Sequence, residues 1–323
     1  MHYIFSFYGV LMSNILRNSF ILIVSMALSA VAYSADVVRI GYQKSATTLV
    51  LLKGEGSLEK RLRSQDVKVE WKEFPGGPQL LEGLNIGAID FGFTGETPPV
   101  FAQAAGASLV YIANEPASPT AEAILVPKDS PLKSVAELKG KKIALNKGSN
   151  VHYLFVRALY EAGLQYSDIT PVYLPPADAR AAFENGSVDA WVIWDPFSAA
   201  AEKQINARVL RDGRGIVDNY QFYLATRDFA TQHPQVITAL IEEIRLIGKK
   251  AVDDPQAVAR QIAPLLGLPQ DITQLAIERQ GYDAQFISPE VIAGQQRIAD
   301  TFTDLKLIPK KLDIKQAVWT QPQ

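Results

Sequence analysis

Residues 91–99 read FGFTGETPP and run directly into VFAQAAGASL. An apolar stretch ends in Thr94, Gly95, Glu96 and two prolines, and an alanine-rich helix follows. In α/β proteins such a junction aims backbone N–H groups at whatever lies beyond the strand's carboxyl end. The pattern recurs. LNIGAIDFGFTGETPP (84–99) matches FENGSVDAWVIWDPFS (183–198), pairing Gly87 with Gly186, Ile89 with Val188, Asp90 with Asp189 and Glu96 with Asp195. A looser match sets RIGYQKSATTLV (39–50) against KIALNKGSNVHY (142–153), with Lys44 opposite Lys147. Four junctions therefore share one grammar: GYQKSAT, FTGETPP, NKGSNVH and IWDPF. Two fall in each half of the chain. Strand ends of doubly wound sheets converge on one crevice. If the halves face each other, all four junctions meet there, each helix start offering free N–H groups and about half a positive charge. That combination suits an anion.

Around these junctions strands and helices alternate, which predicts largely parallel sheets with helices on both faces. VVRIGY, VKVEWKEF, AIDFGF, LVYIANE, EAILVPK, KKIALN, ITPVYL, VDAWVIW, ARVLRD and QFYLATR read as strands. TTLVLLKGEGSLEKRL reads as one helix, and SVAELKG as a short helix opened by a capping box, Ser134 with Glu137. From about Ala230 onward the pattern is mostly helical. The 323 residues suit two lobes of about 100–150 residues each. A net charge of −2 leaves no basic face for nucleic acid. NILRNSFILIVSMALSAVAYSAD has an arginine, an apolar run and small residues around Ala30-Val31-Ala32, the layout of a cleaved secretory signal within residues 1–35. The apolar run is short against a membrane span of about 20 residues. Met12 would give a more usual signal length than Met1. The cysteine count is zero, which excludes disulfides, thiolate chemistry and a lipidated cysteine. The expected product is a free soluble protein, periplasmic in a cell with two membranes.

The candidate residues each carry a plainer reading. Ser149 and Asn150 precede VHYLFVRAL and suit ordinary N-capping as well as anion binding. Gln43 offers an amide at a turn. Glu96 and Asp195 either cap helices or grip a hydrogen-bond-donating part of a ligand. An anion about 4 Å from either carboxylate would meet roughly 4 kcal/mol of repulsion at an effective ε near 20. The anion should then sit on N–H groups, with the carboxylates turned away or accepting from neutral donors. His152, one of two histidines after the signal, stands beside Ser149 and Asn150 and could donate to an anion or pack in the core. It has no metal-ligating partner at i+4. Of Trp191 and Trp194, one faces the core and the other is placed to wall a pocket. G-x-S-x-G, P-loop and G-x-G-x-x-G motifs are absent.

RIGYQK, EFPGGPQLLEGLNIGAIDFGFTGETPPVFAQAAGA, LKGKKIALNKGSNVHYLFVRAL, LPPADARAAFENGSVDAWVIWDPF and LIPKKLDIKQAVW together resemble the periplasmic aliphatic-sulfonate-binding proteins of ABC importers. The resemblance spans essentially the whole chain after the signal. It implies a two-lobed α/β periplasmic binding protein of type II with the ligand cleft between lobes. Lobe one would be residues 36–121 and 228–323, lobe two 122–227, with crossovers at EAILVP and QFYLATR. Carried over by position, the ligand contacts would be Gln43, Gly77, Thr94, Gly95, Glu96, Ser149, Asn150, His152, Trp194 and Asp195. Ser45 stands where these proteins usually have glycine, and Glu96 where the shorter aspartate is common. The implied partners are a small alkanesulfonate and the membrane permease of the importer. The protein is expected to be a monomer with no cofactor and no enzymatic activity. Taurine, nitrate or a thiamine-precursor pyrimidine stays open as ligand, and so does a transferase on the same scaffold.

Overall fold

The structure, a computed structural model, describes residues 36–320. The expected signal segment lies outside the described residues. The strands are β1 (Asp36–Tyr42), β2 (Val67–Glu73), β3 (Phe91–Gly95), β4 (Leu109–Glu115), β5 (Glu122–Val126), β6 (Lys142–Leu145), β7 (Thr170–Tyr173), β8 (Ala190–Trp194), β9 (Arg208–Asp212), β10 (Gln221–Thr226) and β11 (Gln285–Phe286). They form two sheets, ordered β11-β4-β10-β3-β1-β2 and β7-β6-β8-β5-β9. Setting β11 aside, the two orders are the same. Each sheet holds a parallel βαβ core, β1 beside β3 and β6 beside β7 and β8. Each also holds one strand next to the chain crossing, β10 or β5, inserted antiparallel to both neighbours. Both sheets are thus mixed, a correction to the largely parallel expectation. Helical βαβ units give the parallel pairs, and the two crossings add antiparallel strands that no local period announces.

The chain passes between sheets after β4 and again after β9. The second boundary therefore falls before Gln221, not at 227/228, because β10 is hydrogen-bonded into the first sheet between β3 and β4. The crossings are tied to each other: Ser118 N donates to Asp218 O at 2.9 Å, and Asn219 Nδ2 to Ser118 O at 2.8 Å.

The internal repeat has a structural counterpart. Asp90 and Asp189 each precede a central strand and do the same work. Arg39 N donates to Asp90 Oδ2 and Lys142 N to Asp189 Oδ2, both at 2.8 Å. In return Asp90 N donates to Arg39 O and Asp189 N to Lys142 O. Gly87 and Gly186 both take positive φ, 70° and 75°, where a side chain would be strained. One helix expectation fails. TTLVLLKGEGSLEKRL breaks into Thr47–Glu55 and Ser57–Arg63, because Gly56 adopts the left-handed conformation at φ 63°. The Ser134 helix shrinks to a single 3-10 turn, Val135–Leu138, in which Glu137 accepts from Lys133 N and Ser134 Oγ.

Both sheets are buried in apolar side chains. Ile40, Phe91 and Tyr223 pack with Leu49, Leu240 and Ile244 around the first sheet. Ile143 and Trp191 pack with Leu154 and Phe155 around the second. Each such side chain contributes about 1.5–3 kcal/mol by leaving water. This burial holds the strand ends, and the junctions on them, in place.

Candidate functional site

The four junctions meet at one small cleft. Of the expected residues, Gln43, Gly77, Thr94, Gly95, Ser149, Asn150, Trp194 and Asp195 line it. Glu96 and His152 do not. From the first sheet, β1 delivers Gln43, whose Nε2 donates to Phe93 O at 3.2 Å. Strand β3 delivers Thr94 and Gly95. Thr94 Oγ1 is buried without a hydrogen-bond partner. Gly77 opens the helix Gly77–Asn85 against them. A Cβ on Gly77 would overlap Thr94 Oγ1 and lie 2.7 Å from Pro98 Cγ. Only glycine lets this helix start approach so closely.

From the second sheet, the turn after β6 delivers Ser149 and Asn150, and β8 delivers Trp194 and Asp195. Ser149 does not cap its helix, Asn150–Glu161. Its Oγ instead donates to Asn146 O at 2.7 Å. The helices Thr47–Glu55, Gly77–Asn85 and Thr97–Ala104 also lack a side-chain cap. Elsewhere Thr226, Asp254 and Ser288 do cap the helices they precede. The plain capping reading thus fails for Ser149 and Glu96. Uncapped helix starts keep their N–H groups and positive end open to an anion. Asn150 Nδ2 donates to Asn219 Oδ1 at 2.6 Å, and Gln221 Nε2 to the same oxygen at 2.9 Å. The amide in the cleft is thereby tied to the returning crossing. Trp194 is buried and meets Phe197 edge-on, giving the cleft one apolar wall. Trp191 packs in the core against Phe183.

Among the described residues, Asp195 is the one charged residue lining the cleft, and it is 1% exposed. The peptide to Pro196 is cis. Its Oδ1 accepts from Ala199 N at 2.9 Å and lies 3.5 Å from Arg279 Nη1. Oδ2 is buried without a partner. Burial pushes this carboxyl up to about 7, and Arg279 only partly offsets the effect. Arg279 is itself held by Glu202, with Nη1 donating to Oε1 at 2.7 Å and Nη2 to Oε2 at 3.1 Å.

Glu96 is a correction. Its side chain turns to the returning crossing, where Oε2 accepts from Tyr220 N at 2.9 Å. Burial pushes its carboxyl up to about 8. His152 is another. Its ring sits among Phe101, Tyr166, Tyr173 and Phe302, with centroids 5.1–6.2 Å away. Its Nδ1 accepts from Gly148 N at 3.2 Å. Burial and then Lys147 hold its pKa down to about 3, so it stays neutral and packs in the core. Residues 150 and 152 lie about 200° apart around a helix, so one faces the cleft and the other turns away.

The sequence reading missed Asn219, Gln221 and Gln280, which also line the cleft. Gln280 directly follows the helix Gln270–Arg279 as its C-terminal cap residue, and its Nε2 donates to Ser45 O at 3.0 Å. None of the three sits in one of the four strand-to-helix junctions, and the resemblance carried none of them over by position.

Two sheets of one strand order, two crossings and a cleft between strand ends define the type II periplasmic binding-protein fold. The model of the NMT1/THI5-like family matches residues 62–258. A relative in Escherichia coli (strain K12), named for binding aliphatic sulfonates, is 44% identical over 97% of this chain and 98% of its own. The solved alkanesulfonate-binding protein of Xanthomonas axonopodis pv. citri, bound to MOPS, is 42% identical, with TM-score 0.84 over 89% of this chain and 99% of that one. The crystal structure of the periplasmic aliphatic sulphonate binding protein of Escherichia coli gives 45% and 0.81 over 90% and 94%. The chain belongs to the NMT1/THI5-like family and, within it, to the aliphatic-sulfonate-binding proteins.

Proposed function

We propose that this chain is the soluble substrate-binding component of an ABC importer and captures aliphatic sulfonates in the periplasm for delivery to a membrane permease. The observation that carries the reading is the cleft itself: uncapped helix starts and neutral amides and hydroxyls from both sheets, with no cation among the described residues that line it. A sulfonate bears one fixed negative charge and three acceptor oxygens, which such donors satisfy without a formal counter-charge. Trp194 supplies an apolar wall for an alkyl tail. Gln43, Gly77, Thr94, Gly95, Ser149, Asn150, Trp194 and Asp195 are the contacts we assign. The two sheets act as two lobes that close on the ligand about the paired crossings. The names of the relatives support the same ligand class.

Thermal melts against alkanesulfonates of two to eight carbons test the reading. At a ligand concentration 100 times Kd the protein should gain about 2.7 kcal/mol. A melt unmoved by every sulfonate, yet moved by nitrate or by a pyrimidine, would overturn it.

A further inference from the structure

The cleft contains a contradiction. Its assigned ligand is a permanent anion, and its one charged lining residue is a carboxylate. A sulfonate has no proton to give, so it cannot donate to Asp195 as a hydroxyl or ammonium would. One carboxylate oxygen is already used: Oδ1 accepts from Ala199 N and faces Arg279. The other, Oδ2, is buried and has no partner, in a residue 1% exposed. An ionised Asp195 would place an unsolvated negative oxygen beside the bound anion, which a low-dielectric cleft punishes. A protonated Asp195 reverses the sign of the contact, because an O–H at Oδ2 becomes one more neutral donor.

We propose, resting on the sulfonate reading above, that Asp195 takes up a proton from solvent when a simple alkanesulfonate binds, and donates it through Oδ2 to a sulfonate oxygen. No bond of the ligand changes; the proton moves from water or buffer to the carboxylate and leaves with ligand release. The groups that face Asp195 are few. Arg279, from the helix Gln270–Arg279, favours the ionised form but is neutralised by Glu202 on the helix Phe197–Gln204. Tyr282, beyond Gln280, is half-buried, and Asp195 helps to hold its phenol in the neutral form. The raised pKa of Asp195, about 7, means the proton is taken up at little cost near neutrality. Asp195 also becomes a specificity residue. Ligands that are pure acceptors need the proton, whereas an ammonium-bearing sulfonate could pair with the carboxylate directly.

Titration calorimetry with ethanesulfonate, run in buffers of different ionisation enthalpy, reads the proton directly. Uptake should be close to one proton per ligand at pH 8 and close to none at pH 6. Affinity should fall about tenfold per pH unit above 7. Asp195→Asn keeps an acceptor for Ala199 N and a donor at the Oδ2 position, so it should abolish both the uptake and the pH dependence. Ethanesulfonate binding equally well from pH 6 to 9, with no proton exchanged by the unaltered protein, would overturn the proposal whether or not the variant folds. No binding of any sulfonate at pH 6 would instead sink the functional reading on which the proposal rests.

Discussion

The ligand-free protein is expected to melt at a higher temperature at pH 5 than at pH 8, by more than about 5 °C. Four buried carboxyls set this. Glu96 is pushed up to about 8, and Glu115 and Asp195 to about 7; Glu122 also lies well above the usual carboxylate range. Burial is the leading cause in each. Glu122 is fully buried, both its oxygens lack partners, and the nearby Glu96 adds repulsion. Glu115 is better served, with Tyr223 OH donating at 2.6 Å and Asp283 N at 2.8 Å, yet burial still prevails. A carboxyl whose pKa is higher in the fold than in the open chain keeps its proton where the open chain has released it. Its contribution to stability is full below the unfolded value of about 4, and it is lost as pH rises through the folded value of 7–8. Each group removes up to about 1.4 kcal/mol per pH unit within that window. Calorimetry from pH 5 to 8 reads the slope. Glu96→Gln keeps an acceptor for Tyr220 N and cannot ionise, so it should flatten the slope and raise the melting temperature at pH 8. A melting temperature that stays level or climbs between pH 5 and 8 would show that these carboxyls are solvated in a way their burial denies.

How much of this was legible in the sequence depends on how local each feature is. The paired strand-entry aspartates were legible, because Asp90 and Asp189 each stand just before a strand in the repeated stretch and take the same backbone partner on the neighbouring parallel strand. The matching of Glu96 with Asp195 was legible as position and misleading as chemistry. One extra methylene lets Glu96 reach Tyr220 N on the crossing, while the shorter Asp195 stays at its own helix and accepts from Ala199 N. His152 was assigned to the cleft from its neighbours in sequence, but helical geometry turns it into an aromatic cluster. The antiparallel strands β5 and β10 read correctly as strands, yet their placement depends on the two crossings, which carry no periodic signal. Gln280 lay beyond reach for the same reason. It arrives at the cleft through the packing of the helices Phe197–Gln204 and Gln270–Arg279, joined by the Arg279–Glu202 pair.

Replacing Gly95 by alanine is expected to weaken alkanesulfonate binding about a hundredfold, some 3 kcal/mol, while lowering the melting temperature of the ligand-free protein far less. Gly95 ends β3 in the first sheet, and Asn150 opens a helix of the second. A Cβ at position 95 would overlap the Asn150 side-chain amide. That amide cannot swing aside freely, because it is buried and its Nδ2 is committed to Asn219 Oδ1, which Gln221 Nε2 also holds. Within one sheet an added methyl can be absorbed by small shifts at a cost of about 1–3 kcal/mol. Here the clash falls between elements of the two sheets, so the ligand-free protein relieves it by parting the cleft. Ligand binding has to bring the surfaces back together and meets the overlap again. The cost therefore appears in affinity more than in stability. Titration calorimetry of the variant, beside its melting curve, separates the two. An affinity within threefold of the unaltered protein would mean that the close approach of Gly95 to Asn150 is incidental to closure. A large fall in melting temperature with unchanged affinity would place the strain inside the first sheet instead.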